Sequence, residues 1–232
     1  MKLYEYLSSK GIASLSESKI LIRDSRIKVN ADIITNFNYK VSDEDVVFFD
    51  NNLIEEISNK EYFLLNKPQG YIASISQRLQ KNNILDFFQG EKNRVYPLDY
   101  LDFDAEGLVI FLNDSELDNE LNSKKDIENE YELKVSGLLR KEDSRKIGDS
   151  TFRILNVKYD DLKENTYLNL IVKGYSLKEI KEKFNQVSHP VKKAKRIRYG
   201  NLVLDVPRGK YRRIKPHEVK LLRLLSTLNS KK

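Results

Sequence analysis

The stretch "VYPLDYLDFDAEGLVIFLND", residues 95 to 114, sets Asp99, Asp102 and Asp104 directly before a glycine and an unbroken apolar run. The run from Gly107 to Leu112 has the form of a strand buried on both faces. A carboxylate in the turn feeding such a strand sits at a sheet edge, beside any cleft there, and can act as nucleophile or general base. Asp102, five residues before Gly107, is the best placed of the three. Desolvation makes a charge costly at that position, so an ionised Asp102 needs a cation nearby. The bland alternative is that the aspartates cap turns, as Asp often does. On composition alone that alternative is the stronger.

Few other groups compete for the chemistry. The 232 residues include no cysteine, which excludes disulfides, thiolate metal sites and cysteine nucleophiles. His189 and His217 are the two histidines and stand far apart, so neither a histidine-built metal site nor a serine–histidine triad is expected. We expect no metal. No apolar run approaches the roughly 18 residues of a membrane span, and no signal-peptide pattern opens the chain. The expected address is the cytoplasm, with no membrane partner. Net charge is +6, but residues 189 to 232 carry 14 Lys or Arg against 2 Asp or Glu. Positive charge so localised, interleaved with Ile197, Tyr199 and Leu202, predicts an ordered surface that meets a polyanion.

These groups need a scaffold. Residues 1 to 50 read as a small unit. One helix carries Leu3, Tyr6 and Leu7 and stops at Gly11; a second, capped by Ser14 or Ser16, carries Ile20, Leu21 and Ile22. The strands "RIKVNADII" and "DEDVVFFD" follow, and the polar residues 51 to 60 read as a linker, which predicts that the unit moves relative to the rest. Residues 61 to 232 are richer in strands: "EYFLLNKP", "GLVIFLND", "EYELKVSG", "FRILNVKY", "TYLNLIVKG", "LVLD" and "YRRI". Helices are expected at "NNILDFFQ", "SELDNELNS", "SLKEIKEKFNQ" and "KPHEVKLLRLLST". Neighbouring strands are mostly hairpin-like. The expected fold is α+β: a small N-terminal domain, then a larger domain whose mainly antiparallel mixed sheet is flanked by helices.

The motif order resembles the RsuA-type pseudouridine synthases, which carry an N-terminal RNA-binding domain of the ribosomal-protein-S-four kind. "LYEYLSSKGIAS" and "ILIRDSRIKVNADII" are similar to that small domain. "LLNKPQGYIAS" resembles the family's Lys-Pro-x-Gly turn, "VYPLDYLDFDAEGLVIFLNDSEL" its catalytic motif, and "ENEYELKVSG" its tyrosine motif. "HPVKKAKRIRYGNLVLDVPRGKYRRIKPHEVKLL" is similar to its C-terminal segment. The resemblance covers nearly the whole chain in order. It implies a catalytic aspartate at Asp102, an active-site tyrosine at Tyr131 that stacks on the target base, and, with one inserted residue, the aspartate's basic partner at Lys181. It also implies RNA, ribosomal RNA first, as partner, and a monomer that isomerises uridine to pseudouridine without cofactor. Candidate RNA contacts are Arg23, Arg26, Lys28, Lys67, Lys192, Lys193, Lys195, Arg196 and Arg198.

The chain departs from the pattern at several positions. Asp99-Tyr100 stands for the usual Gly-Arg, Ala105 for a Thr or Ser, Asn129 for a basic residue, and Leu15-Ser16 for an arginine pair. A second carboxylate at Asp99 would work against an ionised Asp102 if the two approach, so Asp99→Asn is expected to be mild or to help. These departures keep open a second reading, an RNA-binding or ribosome-assembly factor without activity. A third, a hydrolase using Asp99 and Asp102, lacks a metal site or a leaving-group acid.

Overall fold

In a computed structural model the described residues are 1–57, 59–75, 82–88, 94–124 and 126–227. Helices α1 (Leu3–Ser9) and α2 (Leu15–Arg23) pack Leu3 and Leu7 against Leu21 and Ile22, all fully buried. Ser14 caps α2, its hydroxyl accepting from the Glu17 N–H at 3.3 Å. Strands β1 (Ile27–Val29), β2 (Asp32–Ile33), β3 (Val47–Phe49) and β4 (Asn52–Leu53) form an antiparallel sheet of order β2-β1-β3-β4.

The last of these strands lies inside the segment expected as a linker. Phe49 pairs with Asn52, so Asp50-Asn51 is a two-residue hairpin turn, with both residues at positive φ (49° and 64°). That is the conformation Asp and Asn tolerate best among residues other than glycine. The first three residues of that segment, Asn51 to Leu53, thus belong to a hairpin.

The second sheet contains β5 (Tyr62–Lys67), β6 (Tyr96–Pro97), β7 (Glu106–Leu112), β8 (Glu128–Ser136), β9 (Phe152–Asp160), β10 (Asn165–Lys173), β11 (Val191–Tyr199), β12 (Leu202–Val203) and β13 (Tyr211–Arg213). Its main order is β13-β5-β7-β11-β8-β10-β9. The pairing of β11 with β7 is parallel and the other recorded pairings are antiparallel. With helices α3 (Ser115–Asn122), α4 (Lys141–Ile147), α5 (Leu177–Gln186) and α6 (Pro216–Thr227), the fold is α+β with a mixed sheet. Residues 84–88, expected within a helix, form a 3-10 turn, and Gln89 lies outside the described residues. The basic segment from Lys192 to Arg198, expected as an ordered surface, is an inner strand of the sheet.

The continuous apolar run of β7 follows from burial on both faces. Leu108, Ile110 and Leu112 share one core with Leu64, with Leu3, Leu7 and Leu21 of the N-terminal unit, and with Leu117 and Leu222 of α3 and α6. Val109 and Phe111 face the other core, with Phe63, Leu133, Ile147, Phe152, Ile180 and Phe184. The two sheets are separate, yet the N-terminal unit is docked. Beyond the shared core, Arg26 donates to the Ile75 carbonyl at 2.8 Å, and the Ile75 N–H donates to Glu17 at 3.1 Å. Swinging of the unit relative to the second sheet would have to break these contacts.

That junction buries two carboxylates. Asp118 of α3 is 1% exposed, and its carboxyl is pushed up to about 7 by burial and by Glu17, Asp99 and Asp114. Glu17 is raised as well, chiefly by burial. A carboxyl that binds its proton more tightly in the folded chain contributes stability that is complete below the unfolded value of 3.8 and is lost as pH rises through about 7. Asp118→Asn keeps the oxygen that accepts from Asn122 at 2.7 Å and removes the charge. In urea unfolding it is expected to stabilise the chain at pH 8 by about 2 kcal/mol and to change little at pH 4. A loss of stability at pH 8 would show instead that the native junction needs the charge.

Candidate active site

The turn from Leu98 to Ala105 is held from below by the strand that precedes it in space. Lys67, at the end of β5, is fully buried, and its ammonium donates to the carbonyls of Ala105 (2.6 Å), Tyr71 (2.9 Å) and Pro68 (3.3 Å). Burial pushes its pKa down to about 8, against the opposing pull of Asp102, Asp104 and Glu106. The Gly70 N–H donates to the Phe103 carbonyl at 2.8 Å, and the Ala105 N–H to the Asp102 carbonyl at 3.1 Å. The Lys-Pro-x-Gly turn thus clamps the aspartate-bearing loop by its backbone. Lys67 is a buried strut and not a phosphate contact, which corrects the expectation for it.

Where the loop enters β7, only glycine fits. Gly107 has φ of +111°, and a Cβ there would meet the Arg196 carbonyl oxygen at 2.2 Å. The close parallel approach of β11 to β7 depends on that absence of a side chain.

Two ion pairs stand on this frame. In the outer one Lys181 donates to Asp102 Oδ2 at 2.8 Å, and also to both oxygens of Asp104 at 2.9 and 3.0 Å. Asp102 and Lys181 are each about a quarter exposed, so the pair is accessible from solvent. Burial pulls the Lys181 ammonium down, but the hydrogen bonds to Asp102 and Asp104 outweigh it, and its pKa is raised. Helix α5 sets the position: Ser176 and Glu179 form a capping box at its start, and Leu177, Ile180 and Phe184 fix its inner face. The family resemblance implied Lys181 as the partner of Asp102, and in the structure the two are in contact.

The inner pair was not foreseen. Arg196, 2% exposed, forks onto both oxygens of Asp99, with Nη2 to Oδ1 at 2.8 Å, while its Nε donates to the Leu108 carbonyl at 2.8 Å. Burial opposes its charge, yet Asp99 holds its pKa above the usual arginine range. Arg196 therefore has no face for RNA, which corrects its assignment as a contact. Asp99 is turned to this guanidinium rather than left to repel Asp102. The added carboxylate was itself the signal, because a new buried charge demands a cation.

Tyr131 lies opposite Arg196 on the neighbouring strand and is 4% exposed. Burial raises its phenol, Arg196 lowers it, and Asp99 and Asp102 raise it further. It sits in the field of both ion pairs. Tyr100, by contrast, is 61% exposed on the rim.

The remaining candidate RNA contacts divide. Arg26 is engaged by Asp50, and Arg198 by Glu130 and Glu128. Lys192 donates to Asn165 at 2.8 Å, and Lys195 lies 3.6 Å from Glu132. Arg23, Lys28 and Lys193 have no ion-pair partner among the described residues. Among those residues there is also no group of three or more His, Asp or Glu arranged to hold a metal, and no helix long and apolar enough to cross a membrane.

Residues 61–220 match the family model of RNA pseudouridylate synthases, and the chain belongs to that family, whose members are isomerases of RNA. The ribosomal large subunit pseudouridine synthase B of Bacillus subtilis strain 168 is 31% identical to it, over 97% of this chain and 96% of the relative. The dual-specificity RNA pseudouridine synthase RluF of Escherichia coli strain K12 is 30% identical, over 99% of this chain and 81% of its own length. In fold the chain is similar to a crystal structure of a pseudouridylate synthase, with a TM-score of 0.66 at 24% identity, covering 96% of this chain and 99% of that one.

Proposed function

We propose that the chain isomerises a uridine of ribosomal RNA, with Asp102 as the catalytic carboxylate, Lys181 as its counter-ion and Tyr131 as the ring on which the target base stacks. The observation that carries this reading is the 2.8 Å contact between Lys181 and Asp102 at a solvent-accessible mouth. The target base is flipped out of its stack into the site. Asp102 attacks the ribose or takes a proton from it, and the bond from ribose carbon 1′ to uracil nitrogen 1 breaks with its electrons on the base. The base turns, its carbon 5 bonds to carbon 1′ as the Asp102 ester bond breaks or the abstracted proton returns to the ribose, the carbon 5 proton leaves, and nitrogen 1 ends protonated. Every atom except exchanged protons is conserved and no net electrons move, so the reaction needs no oxidant, reductant or group donor, and the proposed steps use only side chains of this chain. The name of the Bacillus subtilis relative supports RNA of the ribosome as substrate, and hence the cytoplasm as site of action. The protein acts as a monomer without a membrane partner.

The test is tritium release from RNA labelled at uracil carbon 5. Lys181→Ala is expected to slow release by roughly 10²-fold, the scale for losing one oriented charge in an active site. Lys181→Arg should keep most of the rate, and Asp104→Asn should cost little because Asp102 retains its ammonium. Tight RNA binding without tritium release from the wild-type chain would move the reading to an inactive binding factor.

A further inference from the structure

The face of the sheet that carries Lys134 holds a lysine row that the catalytic reading does not use. Lys193 of β11 is directly opposite Lys134 of β8, Lys134 is opposite Tyr167 of β10, and Tyr167 is opposite Lys158 of β9. Residues in direct register project to the same face, so the four side chains form one line across four strands. The intervening residues Leu133, Leu168 and Ala194 are buried on the other face, which fixes the row as the solvent side. A cavity of about 520 Å³ lies over this row.

Like charges set directly opposite one another in a sheet are destabilising. The next row shows the ordinary remedy, where Lys195 faces Glu132 at 3.6 Å. Among the described residues Lys134, Lys158 and Lys193 have no such carboxylate. Tyr167, 41% exposed, lies between Lys134 and Lys158, with the Lys134 ammonium 5.3 Å from its ring centre. Uncompensated cations interleaved with an exposed aromatic face are what a single nucleic-acid strand requires: ammonium groups for phosphates and a ring for a base or ribose. The line spans three strand spacings, roughly 14 Å. On the face opposite Tyr131, the adjoining row leads to the start of β7, because Lys195 is in register with Glu106, four residues beyond Asp102.

We infer that this groove binds an extended single strand of RNA flanking the target nucleotide, with Lys134, Lys158 and Lys193 on phosphates and Tyr167 against a base. This rests on the reading of the chain as an enzyme of RNA. An acidic peptide would satisfy the lysines but has no base to occupy Tyr167.

The test compares Lys134→Gln/Lys158→Gln/Lys193→Gln with a control of equal charge change, Lys141→Gln/Lys163→Gln/Lys220→Gln, at exposed lysines elsewhere. Each protein carries Asp102→Asn, so that binding is read without turnover. The probes are a large-subunit ribosomal RNA transcript, a 20-nucleotide poly(U) and polyglutamate. For the groove variant the slope of log affinity against log salt is expected to fall by about 2, the sum of three single-strand phosphate contacts, and by clearly less in the control. Tyr167→Ala should weaken poly(U) binding and leave the slope nearly unchanged. If the triple variant unfolds early in a thermal scan, Lys158→Gln alone, on an edge strand, should lower the slope by about 0.7. Equal slopes for groove and control variants overturn the proposal. Loss of polyglutamate binding with RNA binding intact also overturns it and assigns the groove to an acidic protein. Tritium release by the wild-type chain is read separately: its absence refutes the enzyme and leaves the groove standing, whereas release with an unaltered salt slope refutes the groove alone.

Discussion

Asp102→Asn is expected to lower tritium release by roughly 10⁴-fold or more, the scale for removing a group that reacts directly, while RNA affinity holds or rises slightly. The argument rests on what fixes the loop. Lys67 and Gly70 grip the carbonyls of Ala105 and Phe103, so the loop's path does not depend on the Asp102 side chain. Asn keeps the volume and one oxygen for Lys181, which also retains Asp104. What disappears is the negative charge and the ability to attack carbon or hold a proton. Affinity should not fall, because a charge that repels phosphate has been removed. A variant still releasing tritium within tenfold of wild type would remove Asp102 from the reaction. Asp104→Asn, measured in parallel, separates a loss of charge near Lys181 from a loss of the reacting group.

The parts of the molecule that were legible in the sequence are those with a local pattern. Alternation and apolar runs marked β5, β7, β8, β9 and β10, and helical spacing marked α1, α2, α3, α5 and α6. Helix α4 was missed because Ile147 is its one buried residue, which leaves no periodicity to read. Strand β11 was read as basic surface because Lys192, Lys193, Lys195, Arg196 and Arg198 dominate its composition, although Ala194 and Arg196 are buried. Five cations in a strand look like an RNA face when the carboxylates opposite them, on β8 and in the Asp99 turn, cannot be seen. Asp102 was marked by its place before a buried strand, but its pairing with Lys181 was reached only through resemblance to a family motif with one residue inserted, since the two lie 79 positions apart. Asp99 and Arg196 are separated by 97 positions. Their contact depends on the one parallel pairing among the recorded strand pairs, β7 with β11, which no local pattern encodes. Lys67 was misread for the same reason as Arg196. A lysine ending a strand is usually solvated, but here the loop from Pro68 to Tyr71 and the turn at Ala105 close over it.

The inner pair reverses one expectation drawn from sequence. With Asp99 taken as a neighbour that repels Asp102, its neutralisation looked harmless. With Asp99 as the carboxylate under Arg196, Asp99→Asn leaves a guanidinium that is 2% exposed without its counter-charge. Removing one partner of a buried pair costs about 3–5 kcal/mol, because the other charge stays desolvated. Asp99→Asn is therefore expected to lower the unfolding free energy by about that amount in urea titration. Activity should fall with it, since Arg196 adjoins Tyr131 and the Leu108 carbonyl. The size of the loss alone does not identify its cause, so the decisive protein is the double variant. Arg196→Met fills similar length with an apolar chain and by itself strands Asp99, which is about a fifth exposed and can turn towards water at smaller cost. Asp99→Asn with Arg196→Met removes both charges and should recover most of the stability lost in Asp99→Asn. The coupling energy in that cycle is expected to be about 2–3 kcal/mol. A cost below about 1 kcal/mol for Asp99→Asn, the level of an exposed ion pair, would mean that Arg196 is satisfied by other acceptors and that Asp99 is incidental. Tyr100→Arg tests the other half of the exchanged dipeptide. At a side chain 61% exposed it should leave stability unchanged, and no rise in tritium release is expected, because the site already has its cations at Lys181 and Arg196.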